Sequence, residues 1–202
     1  ALSARLQRED FVATGREVDI CNFQAALSFA EQSGPITHIV NCAAYSQVDL
    51  AESQQDAAER DNAIGPEVLG RVAKRIGARL VHLSTDYVFD GSLGRRVSET
   101  DLPNPCNVYG WSKLEGEKRL LAVLPEACIV RTSWVFGSGG KNFVARLIEL
   151  LQTKEELRLV CDQISRPTYA PDLCSALLQM LDVSGLYHFA NEGPTNKYDF
   201  AL

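Results

Sequence analysis

The chain has 202 residues, 46% hydrophobic and 23% charged, which excludes a disordered tail, a fibre and a stapled mini-protein. Its 20 Lys+Arg against 26 Asp+Glu give a net charge of -6 with no basic stripe, so nucleic acid is not an expected partner. No apolar run reaches the roughly 18 residues of a membrane span, so no membrane partner is expected either.

In chain order, residues 1–6 read as the inside of a helix, and residues 12–16 (VATGR) as a strand and its end. Asn22 is a helix N-cap, followed by Phe23, Ala26, Leu27 and Ala30 at helical spacing. Residues 37–42 are β-branched and mostly apolar, the pattern of a strand covered on both faces. Residues 57–76 form a long helix with Ile64, Val68, Leu69, Val72 and Ile76 on one side, stopped by Gly77. A buried-type strand over 79–84 follows. The stretch from 88 to 108, with Gly91, Gly94, Pro103 and Pro105, is irregular, and loops of that length are usually functional. Then come a helix over 109–124, a strand over 127–132, a helix over 142–154 and a strand-like run over 157–160. A helix over 172–181 capped by Asp172, a strand over 185–189 and the start of a helix at 198–202 end the chain. This alternation predicts an α/β fold: a doubly wound, mostly parallel sheet of the Rossmann type. Both ends read as interior, and the opening strand and Gly-rich turn of such a fold are absent, so the chain is expected to be the middle of a longer protein.

Cys21, Cys42, Cys106, Cys128, Cys161 and Cys174 form no C-x-x-C pair. They are read as buried free thiols in a reducing cytosol, with no metal site. The expected localisation is cytoplasmic.

The chemistry is carried by Tyr109 and Lys113, at i and i+4 near a helix start. That spacing sets both on one face. A phenol with a pKa near 10 is a poor acid or base at neutral pH, and a nearby ammonium lowers it by favouring the phenolate. Such a pair can serve as a tuned general acid or base. Thr85 and Asp86 lie just past a strand's carboxyl end, where open α/β sheets bind ligands. The Thr85 hydroxyl there can bond the substrate oxygen that Tyr109 protonates, or its own backbone. Ala43 and Ala44 end the 37–42 strand, small enough to admit a flat ligand or to allow close helix packing. Trp134 suits either a pocket wall or the core.

These stretches together resemble the dTDP-4-dehydrorhamnose reductases of the extended short-chain dehydrogenase/reductases. The resemblance lies in residues 41–52 (NCAAYSQVDLAE), 78–91 (ARLVHLSTDYVFDG) and 99–117 (ETDLPNPCNVYGWSKLEGE). It continues through 131–137 (RTSWVFG), Lys141-Asn142-Phe143 and 162–173 (DQISRPTYAPDL), nearly the whole chain in the family's order. It implies a catalytic triad of Thr85, Tyr109 and Lys113, with Tyr109 the proton donor. It implies a cofactor site of Asp19, Ile20, Ala43, Ala44, Tyr45, Ser46 and Asn62 with Tyr109 and Lys113, and Thr85, Asp86 and Trp134 against a dTDP-sugar. Ser46 stands where Thr is common in the family and keeps the hydroxyl. Gly15 followed by Arg16 suits the 2′-phosphate of NADPH better than the bare ribose of NADH, unless Arg16 is a solvated surface residue. The implied division is a dinucleotide-binding part, 1–137, and an incomplete substrate-binding part, 138–202. The implied reaction is reduction of the C4 keto group of a dTDP-4-dehydro-6-deoxy sugar to dTDP-L-rhamnose, with a homodimer as the assembly to consider. The alternatives are a nucleotide-sugar epimerase or dehydratase of the same superfamily, and a non-catalytic regulatory subunit that keeps the fold.

Overall fold

The computed structural model describes residues 11–138 and 142–202. Four strands form a parallel sheet in the order β1 (His38–Asn41), β2 (Arg79–Thr85), β3 (Cys128–Thr132), β6 (Gly185–His188). The middle strands β2 and β3 are almost wholly buried, which is why their sequences lack an in–out alternation. A smaller parallel pair, β4 (Val135–Phe136) and β5 (Thr168–Tyr169), lies beside this sheet in sequence and was not expected.

Helices cover both faces. On one, α1 (Phe23–Gln32), α4 (Gly65–Ile76) and α5 (Val108–Val123) bury Leu27, Leu69, Val72, Leu120 and Leu124 against Leu80 and Ile129. On the other, Leu173 and Leu177 of α7 (Ala170–Gln179) pack on Val81 and Val130. This is the doubly wound arrangement that the alternation predicts. Among the described residues no helix is long and apolar enough to cross a membrane.

Asparagine starts most of the longer helices. Asn22, Asn107 and Asn142 each accept a backbone N–H three residues on, opening α1, α5 and α6 (Phe143–Thr153). Asn196 does the same for the short α8 (Lys197–Ala201).

Six expectations need correction or fall outside the description. Residues 1–6 lie outside the described residues. The run 12–16 is irregular and enters a turn at Arg16, so it forms no ladder among the described residues. Residues 157–160 are irregular and alternate between half-buried and exposed without a strand partner. Asp172 does not cap α7: the cap position is Tyr169, Pro171 occupies the first turn, and Asp172 adds a carboxylate there. The helix expected over 57–76 begins earlier and is interrupted. After α2 (Val48–Ala51) the helical run α3 (Gln55–Glu59) passes through a π-turn (Arg60–Ile64) before α4. All six cysteines are free, but only Cys128 and Cys174 are buried, while Cys42, Cys106 and Cys161 are exposed.

Candidate active site

The site is assembled where the strands end. β2 stops at Thr85 and turns into a 3-10 turn (Asp86–Val88), and Thr85 Oγ1 accepts the Tyr87 N–H at 3.2 Å. The hydroxyl thus does bond its own backbone. It also donates to Asp86 Oδ1 at 3.3 Å. Asp86 Oδ2 accepts from Ser165 Oγ at 2.8 Å, tying the strand end to the 162–173 segment. Burial pushes the Asp86 carboxyl above its ordinary range, against the pull of these hydrogen bonds.

Helix α5 is pressed onto this turn by glycine. A Cβ on Gly110 would collide with the Tyr87 carbonyl oxygen, and one on Gly116 with the Asn62 carbonyl oxygen. Tyr109 therefore lies edge-on to Tyr87, with ring centres 5.5 Å apart. Burial raises the Tyr109 phenol above 10, with the Thr85 side chain pulling weakly the other way.

Lys113 corrects one expectation. Its ammonium does not stand over the phenol to lower it. It is buried, and Nζ donates to the Leu83 carbonyl at 2.6 Å and lies 3.4 Å from His82 Nε2. Burial brings the amine down to about 8. The next turn of α5 carries Glu117, whose carboxylate takes Arg131 Nη2 at 2.6 Å and Nε at 2.9 Å and the Ser84 hydroxyl at 2.5 Å. Tyr109, Lys113 and Glu117 thus form one inward stripe at i, i+4 and i+8.

The β1 end provides the opposite wall. Ala43 and Ala44 are exposed, as a ligand-facing backbone must be, and so is Ser46. Asn41 Oδ1 accepts the Ala43 N–H at 3.0 Å, and the Tyr45 hydroxyl donates to Gln54 Oε1 at 2.9 Å. Asn62 differs from its expected role. It sits in the π-turn, fully buried, with its oxygen on the Tyr45 N–H and both amide protons used, on the Tyr45 carbonyl and Ser112 Oγ. It shapes the wall and offers no free donor to a ligand. π-turns commonly mark such sites.

Asp19 is held by Arg60 Nη2 at 2.6 Å and by the Cys21 N–H, and Ile20 packs on Gly65 at the start of α4. Arg16 is exposed. Its neighbour Glu17 is engaged by Thr14 Oγ1 and the Gly15 N–H. A dinucleotide fits these features: an exposed small-residue wall, a buried lysine beside it, and an exposed guanidinium near residues 19–20. Among the described residues no three His, Cys, Asp or Glu side chains gather as a metal site.

Trp134 is half-exposed at φ 40°, a left-handed conformation rare outside glycine. Lys197 lies 6.0 Å from the centres of both the Trp134 and Phe143 rings. The tryptophan is therefore not a core residue. Two surface hollows, along 89–104 and at Glu52 to Asp56, include none of the triad.

His82, Asn41, Ser84, Glu117 and Arg131 were missed. The signals were present: a histidine inside an apolar strand, and a glutamate four residues after Lys113.

Comparison with known proteins places the chain in a family. The profile of the RmlD substrate binding domain matches residues 1–202. The chain is 43% identical over 206 residues to a dTDP-4-dehydrorhamnose reductase of Mycobacterium tuberculosis, covering 98% of the chain and 67% of that protein. It is 40% identical over 194 residues to the enzyme of that name from Aggregatibacter actinomycetemcomitans, covering 92% of the chain and 66% of the relative. The chain thus spans about two thirds of the length of these curated relatives. A crystal structure of a dTDP-4-dehydrorhamnose reductase from Bacillus anthracis, in complex with NADP, superposes with a TM-score of 0.94 at 36% identity. That match covers 99% of this chain and 73% of the other.

Proposed function

This chain belongs to the RmlD substrate binding domain family, and on that premise we propose that the protein is an NADPH-dependent oxidoreductase. Its reaction is reduction of the C4 keto group of a dTDP-4-dehydro-6-deoxy-L-mannose to dTDP-L-rhamnose. The observation that carries this reading is Tyr109 and Thr85 converging where β2 ends, with Lys113 buried one turn along α5. The NADP-bound relative supports the cofactor, and Arg16 supplies a charge suited to a 2′-phosphate.

The nicotinamide dinucleotide supplies the hydride. The remaining chemistry belongs to the chain. The Thr85 hydroxyl turns its one proton from Asp86 to the carbonyl oxygen of the sugar and orients it. The Tyr109 phenol, kept protonated by burial, donates its proton as the oxygen becomes an alkoxide. The Lys113 ammonium, one turn along α5 and not in contact with the ring, supplies positive charge behind the phenolate left by that transfer. Asp86 and Trp134 face the sugar nucleotide. Ala43, Ala44, Tyr45 and Ser46 line the cofactor, with Asp19 and Ile20 near its adenine.

The test is reduced-nicotinamide oxidation by the full-length protein with the 4-keto sugar nucleotide. Stoichiometric oxidation with a rhamnose product is expected. An isomerised product without oxidation would replace this reading by an epimerase. Dinucleotide binding without any turnover would replace it by a non-catalytic subunit.

A further inference from the structure

Beneath Lys113 a histidine is locked between two strands. His82 is fully buried in the middle of β2, and in the parallel register its partner on β1 is Asn41. The Asn41 oxygen accepts the Ala43 N–H at 3.0 Å, which fixes the amide's orientation and places Nδ2 3.0 Å from His82 Nδ1. An amide NH2 only donates, so Nδ1 is the bare, accepting nitrogen. Burial and the neighbouring Lys113 charge hold the ring neutral, its pKa well below the ordinary range. A neutral ring carries one proton, which is therefore on Nε2, 3.4 Å from Lys113 Nζ. Facing an ammonium, that N–H is repulsive; facing an amine, it meets a lone pair.

We propose that His82 is a positioning residue for Lys113: its Nε2–H, oriented by Asn41, favours the neutral amine and makes the ammonium a ready proton source. This rests on the reading of Lys113 as the partner of Tyr109. After the phenol has given its proton to the alkoxide, one Lys113 N–H bond breaks and the O–H bond of Tyr109 re-forms, the proton crossing the helical turn between them through a water or hydroxyl that takes one proton and gives up another. The nitrogen keeps the electron pair, which accepts the His82 N–H. The donor bond to Leu83 O persists in both states. Two other groups face Lys113 and oppose this bias, Glu117 on α5 and the Cys42 thiol at the end of β1. Glu117 is paired with Arg131, and the Cys42 thiol, although the residue is exposed overall, is held above its ordinary range by desolvation of the sulfur and stays protonated. His82 is the group on β2 free to act in the other direction.

The experiment uses the full-length protein without cofactor, 15N-labelled at histidine and lysine. NMR should show His82 protonated on Nε2 and bare on Nδ1 throughout the neutral range. In His82→Asn, which keeps an acceptor for Asn41 but withdraws the group facing Lys113, the Lys113 titration midpoint should rise by about one pH unit. A ring protonated on Nδ1 or on both nitrogens overturns the proposal in the wild type, whether or not the variant folds. So does an unmoved midpoint in the folded variant. Neither readout needs turnover, so a protein that reduced no keto sugar would sink the functional reading and leave the coupling of His82 to Lys113 standing.

Discussion

Asn62 closes on both backbone polar groups of Tyr45, accepting its N–H at 2.9 Å and donating to its carbonyl at 3.0 Å. Its second amide proton reaches Ser112 on α5. One buried side chain therefore joins the segment after β1 to the helix that carries Tyr109 and Lys113. Asn62→Ala would take the partner from the half-buried Tyr45 N–H and carbonyl, leave Ser112 with only its bond to the Tyr109 carbonyl, and open a small cavity. The expected cost is about 2–4 kcal/mol of stability, read from urea unfolding. Dinucleotide affinity should fall as well, about tenfold for a loss near 1.4 kcal/mol. Asn62→Asp keeps the acceptor and loses both donors, so an affinity equal to wild type would show that Tyr45 needs no clamp.

Tyr109→Phe removes one oxygen from a ring whose edge still packs on Tyr87. Fold and dinucleotide affinity should persist. Turnover should fall by about two to four orders of magnitude, the usual share of a positioned proton donor. Equal losses in turnover and in cofactor binding would instead mean that the phenol holds the cofactor and not the reacting oxygen.

The repeating elements were readable because each rests on local chemistry. An asparagine followed by helical apolar spacing places α1 and α6, and unbroken β-branched runs place β1, β2 and β3. Gly77, at φ 72°, ends α4 as its position suggested. What was not readable depends on partners distant in sequence. Arg60 to Ile64 has ordinary helical composition, and the π-turn there puts Asn62 against Tyr45 and Ser112, 17 and 50 residues away. Residues 157–160 have strand-like composition but pair with no strand among the described residues. Tyr109 and Lys113 could be placed on one face from spacing alone. Where the ammonium points could not, because the Leu83 carbonyl that holds it belongs to another strand.

Glu117 and Arg131 form a two-pronged ion pair with both side chains about 95% buried. Arg131 also stacks over Phe89, 5.2 Å from the ring centre, and so ties β3 to the irregular 88–108 stretch. Removing one partner leaves a buried, uncompensated charge, so Glu117→Gln or Glu117→Ala should destabilise by about 3–5 kcal/mol. Replacing both by methionine removes the orphaned charge and should recover much of that loss. If the double variant is no more stable than the single one, the pair's contribution is not the charge balance argued here.

The Lys113 amine also sets an alkaline signature in stability. Its folded pKa of about 8 lies below the ordinary 10.5, so the folded state disfavours the ammonium. Below pH 8 the lysine is charged in both states, and the penalty on the fold is full and constant. Between about pH 8 and 10.5 the unfolded chain holds more protons than the folded one, and stability from this group rises with pH. The gain is of order 3 kcal/mol once the window is crossed. Thiols and phenols whose charged forms are disfavoured by desolvation act in reverse. Cys21, Cys42, Cys128, Tyr87 and Tyr109 are all raised by burial, so each removes stability as pH climbs through its ordinary value. The raw profile is therefore a sum of opposite slopes, and the lysine must be isolated by difference. Lys113→Met deletes its contribution and leaves the thiols and phenols in place. Urea unfolding of both proteins across this range should show the wild type gaining on the variant as pH rises from 8. A constant difference across the window would mean that Lys113 titrates at its ordinary value, and that its burial beside His82 does not disfavour the ammonium.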